Sequence, residues 1–378
     1  MSEIAYANQE EMFVVAETTA GALEKPTASD RMYSVGPVDF GQDQEFLDDE
    51  QIRATASRLS PIAGRMMPGE YSFDSYVKPS GTPATAPEHG ALFKALMGAG
   101  AVNGQTYEYT LANELPSVSV WVKKGHTVFA MRGATVEGAD FTVSGDAIAL
   151  ASWSGKYMRD LRAGTAMTAS ISAAVLTMEA GACESFDEGM FIVVGADDNS
   201  GAGFKILNNN PAANEITLDA SPGVSGAQLV TPWFPTAGAE VGEPGHGKLG
   251  IVTVGGVQCV VLSATVSMVN NIKYYIDEKN NVMTAERYGR PKIREIEGNL
   301  NLLFTRRGAG YFYRAQYQVS DALIIPVGKT AGYIMELQVP YAEYRTPKIS
   351  GDEEFMEDVP FIAVASASLN DEFKIVFS

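Results

Sequence analysis

Cysteine is nearly absent: Cys183 and Cys259 are the only two in 378 residues. Two thiols do not make a disulfide framework, and two buried free thiols are the expected state. Histidine is equally scarce, with three residues. His89, His126 and His246 stand alone, and no His-x3-His, Cys-x2-Cys or His-Glu-x-x-His spacing occurs, so a zinc site is not expected. No apolar run reaches the roughly 18 residues of a membrane-spanning helix. The opening Met1–Met12 is acidic and lacks the basic-then-apolar pattern of a secretory signal, so the chain is expected to be made and used without secretion. Lys and Arg number 28 against 46 Asp and Glu, a net charge of −18. That balance disfavours binding to nucleic acid or anionic membrane, because phosphate contacts need clustered cations. It suits a soluble protein, or a surface that DNA must pass without being held.

Chemical motifs are missing as well. There is no Gly-x-Ser-x-Gly elbow and no phosphate-binding glycine loop ahead of a helix. Asp197-Asp198-Asn199-Ser200-Gly201 has the texture of a calcium loop but lacks the closing Glu at the required distance, so it reads as a turn. Glu295 and Glu297 share one strand face with no sign of a pocket, which makes them a solvated face and not a catalytic pair. The chain is therefore read as not an enzyme, with no catalytic residue, metal or cofactor.

What is present is the texture of an all-β protein. Hydrophobic residues make up 46% and charged residues 20%, with 37 Gly and 18 Pro punctuating the chain. Phe13–Ala16 and Tyr71–Val77 read as strands. Residues 43–58 form either a short helix or an extended arm, with acids at Asp48, Asp49 and Glu50. A helix is predicted from near Pro87, with Leu92, Phe93, Leu96 and Met97 on one face and Gly98 or Gly100 at its end. It is the only strong helix signal. Ser117–Val122 and Thr127–Met131 form a hairpin around Lys123-Lys124-Gly125. Phe141–Val143 and Ala147–Trp153 follow, and Trp121 and Trp153 read as core anchors.

Between 182 and 247 the composition turns to Asn, Asp, Gly and Pro around short strands at Phe191–Val194, Phe204–Leu207 and Glu215–Leu218. This reads as a small β domain inserted into a larger one, and separable from it. The expected division is an N-terminal arm and first strand (1–60), a main domain in two parts (61–181 and 248–378), and the insert (182–247). Gln258–Ile276 is one long strand or a strand pair, with a turn at Asp277–Asn281. Glu295–Leu302 alternates cleanly. Tyr311–Tyr317 and Leu323–Val327 then read as extended chain leading to strands at Tyr333–Ala342, Phe361–Leu369 and Phe373–Phe377. An exposed acidic loop, residues 350–358, lies between the first two of these last three strands.

Four strands share one design, an apolar face opposite a face of Ser, Thr, Asn, Gln or Glu without Lys. They lie around Ser263, Thr265 and Ser267; Glu295, Glu297, Asn299 and Asn301; Glu336 and Gln338; and Ser366 and Ser368. An ordinary half-exposed sheet gives this pattern. A conduit wall gives it too.

Lys78–Ala99, a Gly/Thr/Ala/Pro stretch leading into a helix, resembles the corresponding segment of tail tube proteins of long-tailed, siphovirus-like bacteriophages. Glu17–Gly21, Ile293–Phe304, Gly332–Tyr344 and Ala363–Ile375 are similar to that family in the same order. The resemblance covers about residues 10–180 and 255–378. It implies a β-sandwich or barrel with one flanking helix, assembled as stacked homo-hexameric rings that form a tube for genome DNA during ejection. It also implies a virion (tail) location after assembly in the bacterial cytoplasm. The implied partners are copies of itself, a tape-measure protein, a tail terminator and distal tail proteins, with double-stranded DNA passing unbound. The polar residues of the four strands are then lumen candidates, and Glu343 adjoins them. Gly351, Asp352, Glu353, Glu354 and Glu357 are candidates for ring-to-ring contact, together with the arm before Ser60. A tube unit duplicated within one chain would form trimers of hexameric outline, but a single legible helix argues against duplication. The alternatives to a tube are a host- or carbohydrate-binding β module, with Trp233 and Phe234 as its aromatic pair, and, last, a hydrolase whose site the sequence hides.

Overall fold

In the computed structural model, residues 10–48, 60–240, 242–247, 250–276, 284–305, 309–351 and 354–378 are described. The fold is all-β with a few helices. Its spine is Thr127–Ser144, a strand of 18 residues. The sequence suggests two separate strands here; the chain instead bends through bulges between Met131 and Ala134 and between Val136 and Gly138. Gly133 supplies the positive φ of 61° that the first bulge needs. The N-terminal half of this strand pairs with Val118–Lys124 and Arg159–Ala163, its C-terminal half with Leu150–Tyr157 and Val261–Val269.

Two runs of strands spread from this spine. On one side Leu150–Tyr157 pairs with Gly69–Tyr76, which pairs with Asp39–Gly41. On the other, Val261–Val269 pairs with Glu295–Leu303, then Met356–Ala363, then the end of Met335–Tyr344. The start of Met335–Tyr344 pairs with Lys374–Phe377, so Ile375 and Phe377 are built into a sheet, and Phe373, just before that strand, is buried. The core gathers Phe73, Phe141, Trp153, Phe361, Phe373 and Phe377. The helix Gly90–Met97 closes over it, with Leu92, Phe93, Ala95, Leu96 and Met97 buried and Gly98 ending it at φ 99°. Phe93 stands between Tyr109, Phe141, Trp153 and Phe377, with ring centroids 5.2–6.0 Å apart.

A second helix, Ala309–Tyr317, replaces the extended chain expected at Tyr311–Tyr317. The aromatic run mimics a strand by propensity, but Tyr311 and Arg314 fall one helical turn apart, and Arg314 pairs with Asp321 in the next strand.

The small barrel is closed by six strands: Ala166–Ser172, Val175–Met178, Glu215–Leu218, Phe204–Asn210, Phe191–Val194 and Leu229–Pro232. Its first two strands precede residue 182, so a boundary there cuts through it. Nor does it stand apart. Phe13, Trp121, Val128, Ala130, Leu161 and Ala163 of the larger body share one core with Leu176, Phe186, Ile192, Phe204 and Ile216 of the barrel. Met12, Val14, Val120, Val122 and Met131, on the same strands, face the main core. That layer is buried on both faces, which is why Val118–Val122 reads as a nearly unbroken apolar run.

Candidate functional site: a polar sheet face

The outward face of the central sheet carries an extended polar surface. Its side chains fall into cross-strand rows, because residues directly opposite each other in an antiparallel pair share a face. One row runs Asp74, Ser152, Asp140, Ser267, Glu297, Ile362, Glu343. The next runs Tyr76, Leu150, Thr142, Thr265, Asn299, Pro360. A third runs Ser144, Ser263, Asn301, Asp358, Lys348. On the flank of the first lie Ser72, Ser154, Gly138, Val269 and Glu295. The row behind them, Phe73, Trp153, Ala139, Met268 and Ile296, is entirely buried. A one-residue slip would exchange the two faces, so burial of the aromatic side fixes the polar side.

Ser263, Thr265, Ser267, Glu295, Glu297, Asn299 and Asn301 thus sit together, half-buried or exposed, and Glu343 joins them. Glu336 and Gln338 do not. They lie on the stretch of their strand that pairs with Ser320–Val327 and Lys374–Phe377, and Gln338 donates to Glu336 at 2.6 Å. Ser366 and Ser368 leave the sheet altogether. The strand ends at Ala363, and the Ser366 backbone N–H and hydroxyl both bond Asp371 in a turn where Leu369 and Asn370 take φ of 58° and 54°. Alternating Ala and Ser imitates a strand there, but side-chain bonds to the local backbone favour the turn. The sequence reading missed Asp74, Asp140, Ser152 and Ser154, although their strands carry the same alternation. Cations are few on this face. Lys156 is flanked by Glu137 at 2.7 Å and Glu70 at 4.0 Å, so its charge is compensated.

The expected acidic loop is a tight hairpin between Lys348–Ser350 and Met356–Ala363. Gly351 turns it at φ 122°, and Glu354 is exposed. Asp352 and Glu353 lie outside the described residues, as do Asp49, Glu50 and the Asp277–Asn281 turn. Glu357 is not on the surface: it is 1% exposed on a strand, and burial pushes its carboxyl up to about 7.

The other conspicuous polar groups hold structure. Glu17 accepts from the Ser117 and Ser119 hydroxyls at 2.6 and 2.8 Å and from the Gly21 and Gly133 N–H groups at 2.7 Å each. It pins the Glu17–Gly21 turn to the bulge of the long strand, and burial nonetheless raises its pKa. His89 is stacked on Trp153, 2% exposed, and burial with nearby Lys78 lowers its pKa to about 3, so it is neutral. Asp197 accepts from the Asn199 and Gly223 N–H groups, a turn in which backbone donors occupy the carboxylate. Among the described residues no group of three or more His, Cys, Asp or Glu is placed to hold a metal ion. Trp233, named with Phe234 in the alternative reading of a binding module, is 7% exposed and packs edge-on to Trp121 at 6.5 Å, while Phe234 packs edge-on to Phe13 at 5.0 Å. The pair joins the barrel to the larger body.

A family model described as phage tail tube protein matches residues 7–363 of the chain. No curated protein matches it.

Proposed function

The chain belongs to the phage tail tube protein family, a structural component of the virion tail, and from that premise we propose that the polar sheet face lines the lumen of the assembled tube. In this reading copies of the chain close into rings and the rings stack. The tape-measure protein and then the genome pass along a wall of Ser, Thr, Asn and acid side chains. The observation that carries the reading is the set of cross-strand rows from Asp74 to Glu343, polar at most positions and interrupted by Leu150, Pro360 and Ile362. Acidic rows repel phosphate, so DNA slides without the cation contacts that would hold it. The exposed loop at Gly351 and Glu354 is the element proposed for ring-to-ring contact. Tail terminator and distal tail proteins would cap the ends.

Electron cryomicroscopy of assembled tubes tests this. Thr265 and Glu297 are expected on the inner wall. A map that puts them on the outer surface, or buries them between rings, overturns the assignment.

A further inference from the structure

The chain contains one pairing scheme twice. The first unit has an edge strand (Asp39–Gly41), a two-stranded hairpin (Gln44–Leu47 with Ile62–Met66), a strand (Gly69–Tyr76) and a helix (Gly90–Met97). Then come a strand (Val118–Lys124), the long bent strand, and a return strand in two parts (Leu150–Tyr157 and Arg159–Ala163). The second unit repeats this order. Val261–Val269 is followed by the hairpin Lys273–Ile276 with Ala285–Gly289, the strand Glu295–Leu303 and the helix Ala309–Tyr317. Ser320–Val327 comes next, then a bent strand (Met335–Tyr344 continuing as Lys348–Ser350), and a return strand in two parts (Met356–Ala363 and Lys374–Phe377). Each pairing of this scheme has its counterpart. The edge strand pairs with the strand before the helix, that strand with the return strand, and the return strand with the bent strand. The strand after the helix pairs with the bent strand in both. The single legible helix had spoken against duplication; the second helix removes that objection.

Among the contacts between the two units, one joins a bent strand to an edge strand. The C-terminal end of the first bent strand, from Gly138 to Ser144, pairs with the edge strand of the second unit, Val269 to Ser263. The hairpin of the second unit then folds back onto the first. The Tyr274 hydroxyl donates to a main-chain carbonyl (Gly133 or Lys156, each 2.8 Å away), and the Tyr288 hydroxyl donates to the Leu115 carbonyl. Leu115, Met158, Ile272, Tyr274 and Ala285 form a separate small core there.

Each half of this junction exists once more, without a partner among the described residues. The end of the second bent strand, Lys348–Ser350, pairs on one side only. The first unit's edge strand, Asp39–Gly41, also pairs on one side only. The first hairpin exposes Phe46, Leu47 and Ile62 at 60%, 53% and 65%. Its counterpart hairpin buries Tyr274 and Ala285 at 8% and 2%. The receiving positions match too. Where the first unit presents Leu115 before a strand, Gly133 in the bend and Met158 between the parts of the return strand, the second presents Val319, Tyr341 and Leu369. All three are exposed, at 37%, 39% and 67%.

We propose that the tube protein is two fused copies of one unit, and that neighbouring chains join by repeating the internal junction. The Asp39–Gly41 edge and the first hairpin of one copy dock on the Lys348–Ser350 edge and the Val319, Tyr341 and Leu369 surface of the next. This contact is heterologous, so it closes into a ring when the rotation per unit allows. Each ring then holds twice as many units as chains. A six-unit ring contains three chains, a count that rests on the tube reading, whereas the junction rests on the pairings alone.

Two variants separate the donor from the acceptor. F46D/I62D disables the hairpin and keeps the receiving surface; Y341D/L369D does the reverse. All four side chains are exposed, so circular dichroism and thermal melting should match the wild type. By mass photometry, wild-type rings are expected at three chains and each variant alone at one. An equal mixture is expected to give particles of two chains and nothing larger, because one good junction remains. Rings from either variant alone, a mixture that stays monomeric, or a mixture that regains rings overturns the junction. A six-chain wild-type ring overturns the duplicated repeat. Wild-type rings that never stack, with the two-chain mixture intact, would keep the junction and remove the tube reading.

Discussion

The helices Gly90–Met97 and Ala309–Tyr317 occupy the same place in the pairing scheme and do different work. The first buries five side chains and sits under the aromatic centre of the core. The second buries Tyr311 against Tyr344 and leaves Phe312, Tyr313 and Tyr317 exposed at 39%, 59% and 60%. The first unit also carries the small barrel and the hairpin Gly98–Leu111, which pairs across to Lys374–Phe377 of the second unit. Strand register is thus retained where helix packing is not. Each strand is constrained on two edges and a face, so a slip costs a whole row, whereas a helix lying over a sheet can lose contacts one side chain at a time.

The sharpest way to break this contrast is truncation at matched helices. Phe93→Ala should cost about 3–5 kcal/mol, because it empties a site ringed by four aromatic side chains. Tyr313→Ala should fall within about 0.5 kcal/mol. Urea unfolding followed by fluorescence checks both, and equal costs would mean that the two helices support the core alike.

Next in size is Glu17→Gln. The amide leaves at least one of four donors facing an N–H2 group, and an unsatisfied buried polar group costs about 1–3 kcal/mol. This knot ties one turn to one bulge, so the loss should be localised by hydrogen exchange to Glu17–Gly21 and the Gly133 bulge. Uniform loss of protection throughout the chain would contradict the local role.

Glu357 gives a smaller, pH-dependent effect confined to the second unit. Its carboxyl titrates near 7 in the fold against an ordinary value of 4.5. Burial favours the neutral form, so the wild type has its full stability from this group below about pH 4.5. It loses that stability as pH rises through about 7. Glu357→Gln should therefore melt at a similar temperature at pH 5 and above the wild type at pH 8. A gap that narrows with rising pH has the wrong sign and would exclude the assignment.

The smallest effect on stability, within about 0.5 kcal/mol, is expected for Glu295→Lys with Glu297→Lys on the polar face. The readout is transport. Particles carrying the pair should release DNA slowly at low salt and recover at higher salt, since phosphate attraction is screened. Release rates indifferent to salt would count against a lumenal position for these two acids.

Alternation made much of this legible. Glu295–Leu302, the Lys123–Gly125 hairpin and the helix after Pro87 stand out because one face of each is apolar and the turn residues are chemically suited to their turns. The polar rows were half legible. Seven residues of the second unit were found, but Asp74 and Asp140 were not, because nothing in a sequence says which strands become neighbours across more than a hundred residues. Ser366 and Ser368 were misplaced because small residues satisfy a strand pattern and a turn equally. The barrel's limits were blurred since its first strands, Ala166–Ser172 and Val175–Met178, share the Thr- and Ser-rich composition of the larger body. The aromatic pair Trp233 and Phe234 gave no sequence sign that Trp121 and Phe13 would cover it.

The long strand Thr127–Ser144 has a mechanical consequence. It runs without a chain break from the layer that supports the barrel to the polar face, and it is flanked along both halves by antiparallel neighbours. A pull applied along it loads those ladder bonds together in shear, so they share the load instead of opening one by one. Force reaching the barrel from outside is therefore delivered to the polar sheet as displacement of a stiff rod, with the two bulges as the only points at which it can flex.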